Sequence, residues 1–380
     1  MPLFEPRVIA SALRVLVGGE LARYHTAKVS EVQLFENELS QSMGVQHSLA
    51  VNSGTSALIC ALVGCGIGPG DEVIVPAYTW VSTAAAPLAV GAVPVLAEID
   101  WTLTIDPEDI RKKISPHTKA IIVVHILNLP CNMDAILQIA KEHDLVVIED
   151  ACQAVGVTYK GKRCGSMGDA GVFSFNVLKN IQAGEGGAVL TNSQRTYTRA
   201  LMYHDVGSYI REGRGDTKEP VFIGQNYRMT NLSAAVLRPQ LKKLDKKLTL
   251  RRNRRRYWLD KLAGPFGNRI KVSPHHDPES AVALTVYFDD PEEARTFGSQ
   301  RGIARLFDTG RHVYTNWESI RSGVTTHPRM DPYTWAPRDV RIREDSCPTT
   351  LEILKRTCEI RFFPEVPMIA YRRIVGQTQR

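Results

Sequence analysis

Apolar residues fall along this chain in short runs that alternate between two periods, one helical and one of strict alternation or continuous burial. In "SEVQLFENELSQSMG", Val32, Phe35 and Leu39 recur at helical spacing, Ser30 and Gln33 stand as a capping box, and Gly44 marks a stop. Strand-like runs follow: "SLAV", "EVIVP", "AVPVLAEI", "KAIIVVH" and "LVVIED". Helical patterns lie between them at 55–62, 79–89, around 108–114 and at 134–143. Short, fully apolar strands alternating with helices predict a mostly parallel sheet covered on both faces. From Gly168 the runs "AGVFSF" and "GAVLT" close up around a lysine and a glycine cluster. A helix over 232–262 then leads away, and "AVALTVYFDDPEEARTFGSQRGI" reads as strand, turn and helix of a smaller α+β unit. The boundary falls within 247–264, giving a large α/β domain over 1–250, with an N-terminal helical segment, and a small C-terminal α+β domain over 251–380.

Composition narrows the class. A hydrophobic fraction of 43% and a charged fraction of 23% are those of an ordinary globular protein. No signal-like N-terminus and no membrane-length apolar run occur, which predicts a cytoplasmic protein without membrane contact. Seven scattered cysteines with no CxxC pair suggest neither a metal site nor a disulfide framework. Much of the net charge of +7 lies in "LKKLDKKLTLRRNRRR". Leu241, Leu244 and Leu248 recur there at helical spacing, so the run predicts an amphipathic helix with a solvated basic face rather than a nucleic-acid site. The mild positive field favours an anionic substrate.

Three features sit where strands end. "NSGTSAL" opens a helix with small residues, and a helix N-terminus with accessible N–H groups favours an anion; an ordinary N-capped turn has the same look. "VIEDACQA" ends its strand in Glu149 and Asp150, carboxylates that could hold a metal, meet a cationic heterocycle or cap a turn. In "FSFNVLKNIQAGEGG", Lys179 stands between a strand and what reads as a flexible glycine turn. An amine held out of water is a nucleophile; most lysines, however, are merely exposed. Together, an anion cradle, an acid and a pocket lysine in this order on an α/β sheet match the needs of pyridoxal phosphate (PLP). No G-x-G-x-x-G lies between a strand and a helix, which counts against a dinucleotide site.

At this point the chain resembles a known family. "AVNSGTSAL", "GIGPGDEVIVPAYTWVST", "GAVPVLAEID", "VIEDACQAVG", "VFSFNVLKNIQAGEGGAVLTN", "GQNYRMTNLSAAVLRPQL" and "CPTT" are similar to the sugar and aminocyclitol aminotransferases of the DegT/DnrJ/StrS group, PLP enzymes of fold type I, the aspartate-aminotransferase-like fold. The resemblance implies that Lys179 is the Schiff-base lysine and that Asp150 meets the pyridinium nitrogen. It places Gln153 near the ring hydroxyl, Gly54, Thr55 and Ser174 on the phosphate, and Trp80 on the ring. Asn226 would reach the phosphate of the neighbouring subunit, which implies a homodimer with composite sites. Tyr78, Asn176 and Arg228 would line the substrate side. Many members carry histidine at the position of Asn176 and glycine at that of Asn128. The implied activity is transfer of an amino group from glutamate or glutamine to a nucleotide-linked keto-sugar or a keto-cyclitol, as in amino-sugar or antibiotic biosynthesis. The alternatives are a dehydrating, aminobenzoate-forming relative and a non-catalytic PLP-binding protein.

Overall fold

The seven runs expected as strands of the large domain pair into one sheet. The computed structural model describes residues 4–24, 29–208, 219–271, 273–277, 280 and 283–361. Helix α1 (Pro6–Gly18) precedes the first helix expected, and α2 (Glu31–Met43) starts at Ser30, whose side chain accepts the Gln33 N–H as the capping box requires. Then come β1 (His47–Val51), α3 (Gly54–Gly64), β2 (Glu72–Pro76), α4 (Ser82–Ala89), β3 (Val93–Ala97), α5 (Pro107–Lys113), β4 (Thr118–Val124), α6 (Met133–His143) and β5 (Val146–Asp150). A small hairpin, β6 (Thr158–Tyr159) and β7 (Lys162–Arg163), leads to β8 (Ala170–Ser174), β9 (Gly187–Thr191) and α7 (Gln194–His204).

The sheet order is β1-β9-β8-β5-β4-β2-β3. Pairing is parallel from β8 through β5, β4 and β2 to β3, while β9 runs antiparallel to both of its neighbours. The reversal at β9 was not foreseen. Its cause is the β8–β9 connection, which carries no crossover helix, so the strand returns as in a hairpin. Alternation sends neighbouring residues to opposite layers. Leu49, Val51, Ile122 and Ile148 pack under α3, whereas Ala50 faces α2 and Val147 faces the layer of α5 and α6. The sheet is therefore buried on both faces, as continuous apolar strands require.

The long helix expected over 232–262 is two helices, α8 (Asn231–Leu241) and α9 (Leu244–Phe266). Pro239 withholds an N–H from the last turn of α8, and the break follows it. Leu244 and Leu248 of α9 join the layer over β8, while Trp258 and Leu262 join a second core. That core covers an antiparallel sheet, ordered β10 (Ile270–Lys271), β11 (Leu284–Tyr287), β13 (Thr357–Ile360), β12 (Ile303–Arg305), with α10 (Pro291–Gly298) packed on it. Residues 281 and 282 of the run expected as a strand, and residues 362–380, lie outside the described residues.

The solvated basic face does not form as expected. Arg251, Arg252, Arg254 and Arg255 are half-buried, because α9 lies against the large sheet and the second core at once. Nor does the chain after β12 stay with the small sheet. Tyr314, Trp317 and Ile320, the last on α11 (Glu318–Arg321), pack into the core around α3. Helix α12 (Pro348–Arg356) then starts at "CPTT", where the Glu98 carboxylate accepts the Thr349 and Thr350 N–H groups at 3.1 and 2.7 Å.

Candidate active site

The carboxyl ends of β1, β2, β4, β5 and β8 share one edge of the sheet, and the motif residues gather there. Ser53 caps α3 by accepting the Ser56 N–H at 3.1 Å, which leaves Gly54 and Thr55 in the first turn without intrahelical acceptors. A Cβ on Gly54 would lie 2.9 Å from the Ser174 Cβ and 3.1 Å from the Cys152 sulfur. Only glycine lets the ends of β1, β5 and β8 converge so closely. Thr55 Oγ1 donates to Ser82 Oγ at 2.8 Å, so the first turns of α3 and α4 also meet.

The glycines after Lys179 serve the same convergence. A Cβ on Gly187 would lie 2.3 Å from the Ser53 carbonyl oxygen. Gly187 is buried in β9, so this part of the cluster is a close approach and not the flexible turn expected. "FSF" has a matching logic. Phe173 and Phe175 face the core, where Phe175 meets Phe35 edge-on with ring centres 5.5 Å apart, and Ser174 between them faces Gly54.

Glu149 and Asp150 part company at the end of β5. Both oxygens of Glu149 are saturated. They accept His125 Nε2–H at 2.9 Å and the N–H groups of Gly165, Met167 and Gly168 at 2.8, 2.6 and 2.7 Å. His125 Nδ1 accepts the Cys131 N–H at 3.1 Å, which fixes its proton on Nε2. Glu149 therefore holds a turn together. Asp150 has fewer partners. Its Oδ1 accepts the Cys152 N–H at 3.2 Å and its Oδ2 accepts the Thr83 hydroxyl at 2.8 Å, with Thr79 2.8 Å behind Thr83. Two donors orient this carboxylate and leave lone pairs available. Thr79 and Thr83 went unnoticed in the sequence; the only signal was their one-turn spacing after "PAY".

Lys179 lies on the β8–β9 connection, its N–H bonded to the Asn176 carbonyl at 3.0 Å. Its amine has no hydrogen-bond or ion-pair partner among the described residues. Its charge reaches Cys152 and His312. Burial pushes the Cys152 thiol well above its ordinary pKa, with Asp150 adding to this and Lys179 opposing it. Burial likewise holds His312 below the ordinary imidazole value; the Thr309 carbonyl opposes this and the Lys179 cation adds to it.

His312 is the residue that the sequence concealed. It arrives from the segment after β12, tied by the Thr79 N–H to the His312 carbonyl at 3.0 Å and by a bridge from Tyr78 to Val313. Its Nδ1–H donates to the Thr309 carbonyl at 3.2 Å, and Gln153 Nε2 lies 3.4 Å from its Nε2. The Gln153 Oε1 accepts the Leu127 N–H at 3.1 Å. Trp80, 43% exposed, stands 5.2 Å from the imidazole, and Tyr78 is buried behind it at 6.3 Å with 1% exposure. Tyr78 thus supports His312 and has almost no accessible surface in this chain.

The remaining motif residues are placed as follows. Asn176 turns back into its own loop, donating to Glu185 Oε1 at 3.2 Å. Asn226 is exposed beside the end of β1, where the Asn52 N–H bonds to the Tyr227 carbonyl at 2.8 Å. The Arg228 guanidinium is paired with the buried Asp205. Asn128, where many of the resembling proteins carry glycine, has φ of 61°, a left-handed conformation that asparagine tolerates.

A helix-start cradle that only glycine fits, two hydroxyls, an oriented carboxylate and an amine unpaired among the described residues are a donor set that suits PLP. Residues 15–307 match the DegT/DnrJ/EryC1/StrS aminotransferase family, and the chain belongs to it. Aminotransferases of this family depend on PLP. The chain is similar to the GDP-perosamine synthase of Caulobacter vibrioides, 42% identical over 258 residues, a stretch that covers 66% of this chain and 65% of that protein. It is also similar to the spore coat polysaccharide biosynthesis protein SpsC of Bacillus subtilis, 34% identical over 383 residues and covering 96% and 92%. Among solved structures, the aminotransferase from Psychrobacter cryohalolentis superposes with a TM-score of 0.82 at 27% identity, covering 99% of this chain and 96% of that one. No helix among the described residues is long and apolar enough to cross a membrane.

Proposed function

We propose that this chain is a PLP-dependent aminotransferase that moves an amino group from glutamate or glutamine to a keto-sugar carried on a nucleotide. One observation carries the reading: Lys179, Asp150 and the Gly54–Ser174 cradle converge on one sheet edge from three strands, with the lysine amine unpaired among the described residues. The likeness to a GDP-perosamine synthase supports the substrate class. Bound PLP supplies the electron sink for exchanging an amine with a ketone. The chain's own groups do the rest. The Gly54 and Thr55 N–H groups and the Ser174 hydroxyl would hold the phosphate. Asp150 would keep the ring nitrogen protonated, and Lys179 would hold the cofactor aldehyde and, when free, carry the proton at the donor α-carbon. Trp80 would cover the ring and Gln153 would approach its hydroxyl.

The same reading makes residues 1–250 the cofactor-binding unit and 251–380 the smaller one, and makes the protein a cytoplasmic homodimer in which Asn226 completes the partner's phosphate site. Asn226 is exposed, and Val206, Val221 and Ile223 on the paired segments around it expose apolar side chains, Ile223 to 86%. Such a patch suits a subunit interface.

The test is a two-stage assay on the PLP-loaded protein. Glutamate or glutamine should convert its absorbance to that of the pyridoxamine form. A panel of nucleotide-linked keto-sugars and keto-cyclitols should then restore it, with an amine in the product by mass. A product that has lost water and gained no amine would overturn the assignment.

A further inference from the structure

Asn180, the residue after the lysine, is 4% exposed, and both of its amide N–H donors and its oxygen are engaged. Its Nδ2 donates to Asn128 Oδ1 at 3.0 Å and to the Val155 carbonyl at 2.9 Å, and its Oδ1 accepts from Arg251 Nη1. Turned over, the amide would set its oxygen against two acceptors and its NH2 against a guanidinium, so the orientation is unique. The three partners come from three places. Asn128 and Leu127 are consecutive left-handed residues after β4, with φ of 61° and 53°. Val155 follows Gln153 in the turn after β5. Arg251 stands on α9, in the basic run.

Helix α9 is itself seated on that turn. A Cβ on Gly156 would lie 2.8 Å from both Leu244 Cδ2 and Leu248 Cδ1, and Arg163 links the Gly156 carbonyl to Asp245, the latter at 2.7 Å. Arg251 lies one turn after Leu248. Asn180 is therefore the point where the lysine connection, the β4 loop, the β5 turn and the helix that spans both cores are tied together. Among the described residues, Lys179 has no side-chain bond of its own to fix its reach.

We propose that Asn180 is a positioning residue, held by Arg251, that sets the reach of the Lys179 amine towards the cofactor. This rests on Lys179 being the attachment lysine. The half-buried arginine of α9 then has a task in the site, not at the surface. A displaced loop leaves the phosphate cradle intact but puts the amine out of register with the aldehyde, and small misplacements are costly for bond formation.

PLP and pyridoxamine phosphate separate this role from a merely structural one. Both need the cradle, but only PLP needs the lysine. In apoprotein titrations, N180A should weaken PLP by roughly tenfold, the scale of losing a buried hydrogen-bonded group. It should slow borohydride-trappable attachment similarly and leave pyridoxamine phosphate affinity unchanged. N180D keeps the acceptor for Arg251 but loses both donors, and should behave as N180A. R251M should act in the same direction with a smaller effect, and R251K, which can still donate, should recover much of it. If N180A fails to fold, the R251M and R251K pair carries the test. Equal losses for both ligands, or no loss for PLP, would overturn the proposal. Wild-type protein labelled at another lysine would overturn the reading beneath it as well, whereas a wild-type label on Lys179 with unaffected variants would overturn the positioning role alone.

Discussion

Two carboxylates leave the end of β5 side by side, and their surroundings differ in kind. On one face, Glu149 is enclosed by His125 and the 165–168 turn and receives four hydrogen bonds. On the other face, Asp150 receives two and looks onto the edge where Lys179, Ser174 and Gly54 meet. A saturated buried carboxylate is a fastener, because every lone pair it could offer a ligand is occupied. An oriented but unsaturated one can act on something else. The same contrast separates the cations. Arg338 grips the buried Glu72 with two bonds at 2.6 and 2.8 Å and Arg228 grips Asp205, while the Lys179 amine grips nothing among the described residues. Saturation marks structure, and open valence marks chemistry.

The sharpest way to break this contrast is at the lysine. K179A should abolish turnover yet shift unfolding free energy by no more than about 0.5 kcal/mol, as for a half-buried side chain with no hydrogen bond or ion pair to lose among the described residues. Loss of activity through unfolding, seen in thermal or urea melts, would contradict it.

The carboxylate pair comes next. D150N should keep the fold and lose roughly hundredfold in turnover, the scale of removing one placed electrostatic group. E149Q should do the reverse. A glutamine offers one oxygen to four donors, so stability should fall by about 2–4 kcal/mol, while turnover per folded molecule is largely kept. Equal behaviour of the two variants would erase the distinction.

T83V sharpens the comparison at smaller scale. Valine keeps the shape and deletes the hydroxyl that donates to Asp150 Oδ2. Turnover should fall about tenfold, for a stability loss of about 1 kcal/mol. A turnover unchanged from wild type would show that Thr83 does not orient the acid.

The smallest effect is in pH. His312 has a folded pKa below its ordinary 6.5, so on acidification the unfolded chain takes up this proton before the folded one does. Its contribution to stability is present above 6.5 and is lost as pH falls below that value. Between about pH 8 and about pH 5, wild type should lose more stability than H312Q. Parallel curves would show that His312 does not titrate differently on folding.

Much of the site was legible because it is local. A capping box spans three residues, and "SGTS", "IEDA" and "FSFNVLKN" each sit on one strand end. Their meeting followed from the carboxyl-edge rule for parallel sheets. What escaped was set by tertiary return. The direction of β9 depends on what fills residues 175–186. The role of Glu149 depends on the turn folding under β5. His312 comes back from beyond the second sheet, and nothing in "DTGRHVYTNW" announces its destination. The basic run looked solvated because amphipathic spacing shows which residues are apolar, not which arginines a second core will enclose.

The central claim is that the Lys179 amine on the carboxyl edge is where the cofactor attaches. The most direct measurement is borohydride reduction of the PLP-loaded protein followed by peptide mapping. The account expects a single label, on Lys179, absent from K179A. A label on Lys162 or another lysine, or no stable label at all, would contradict it.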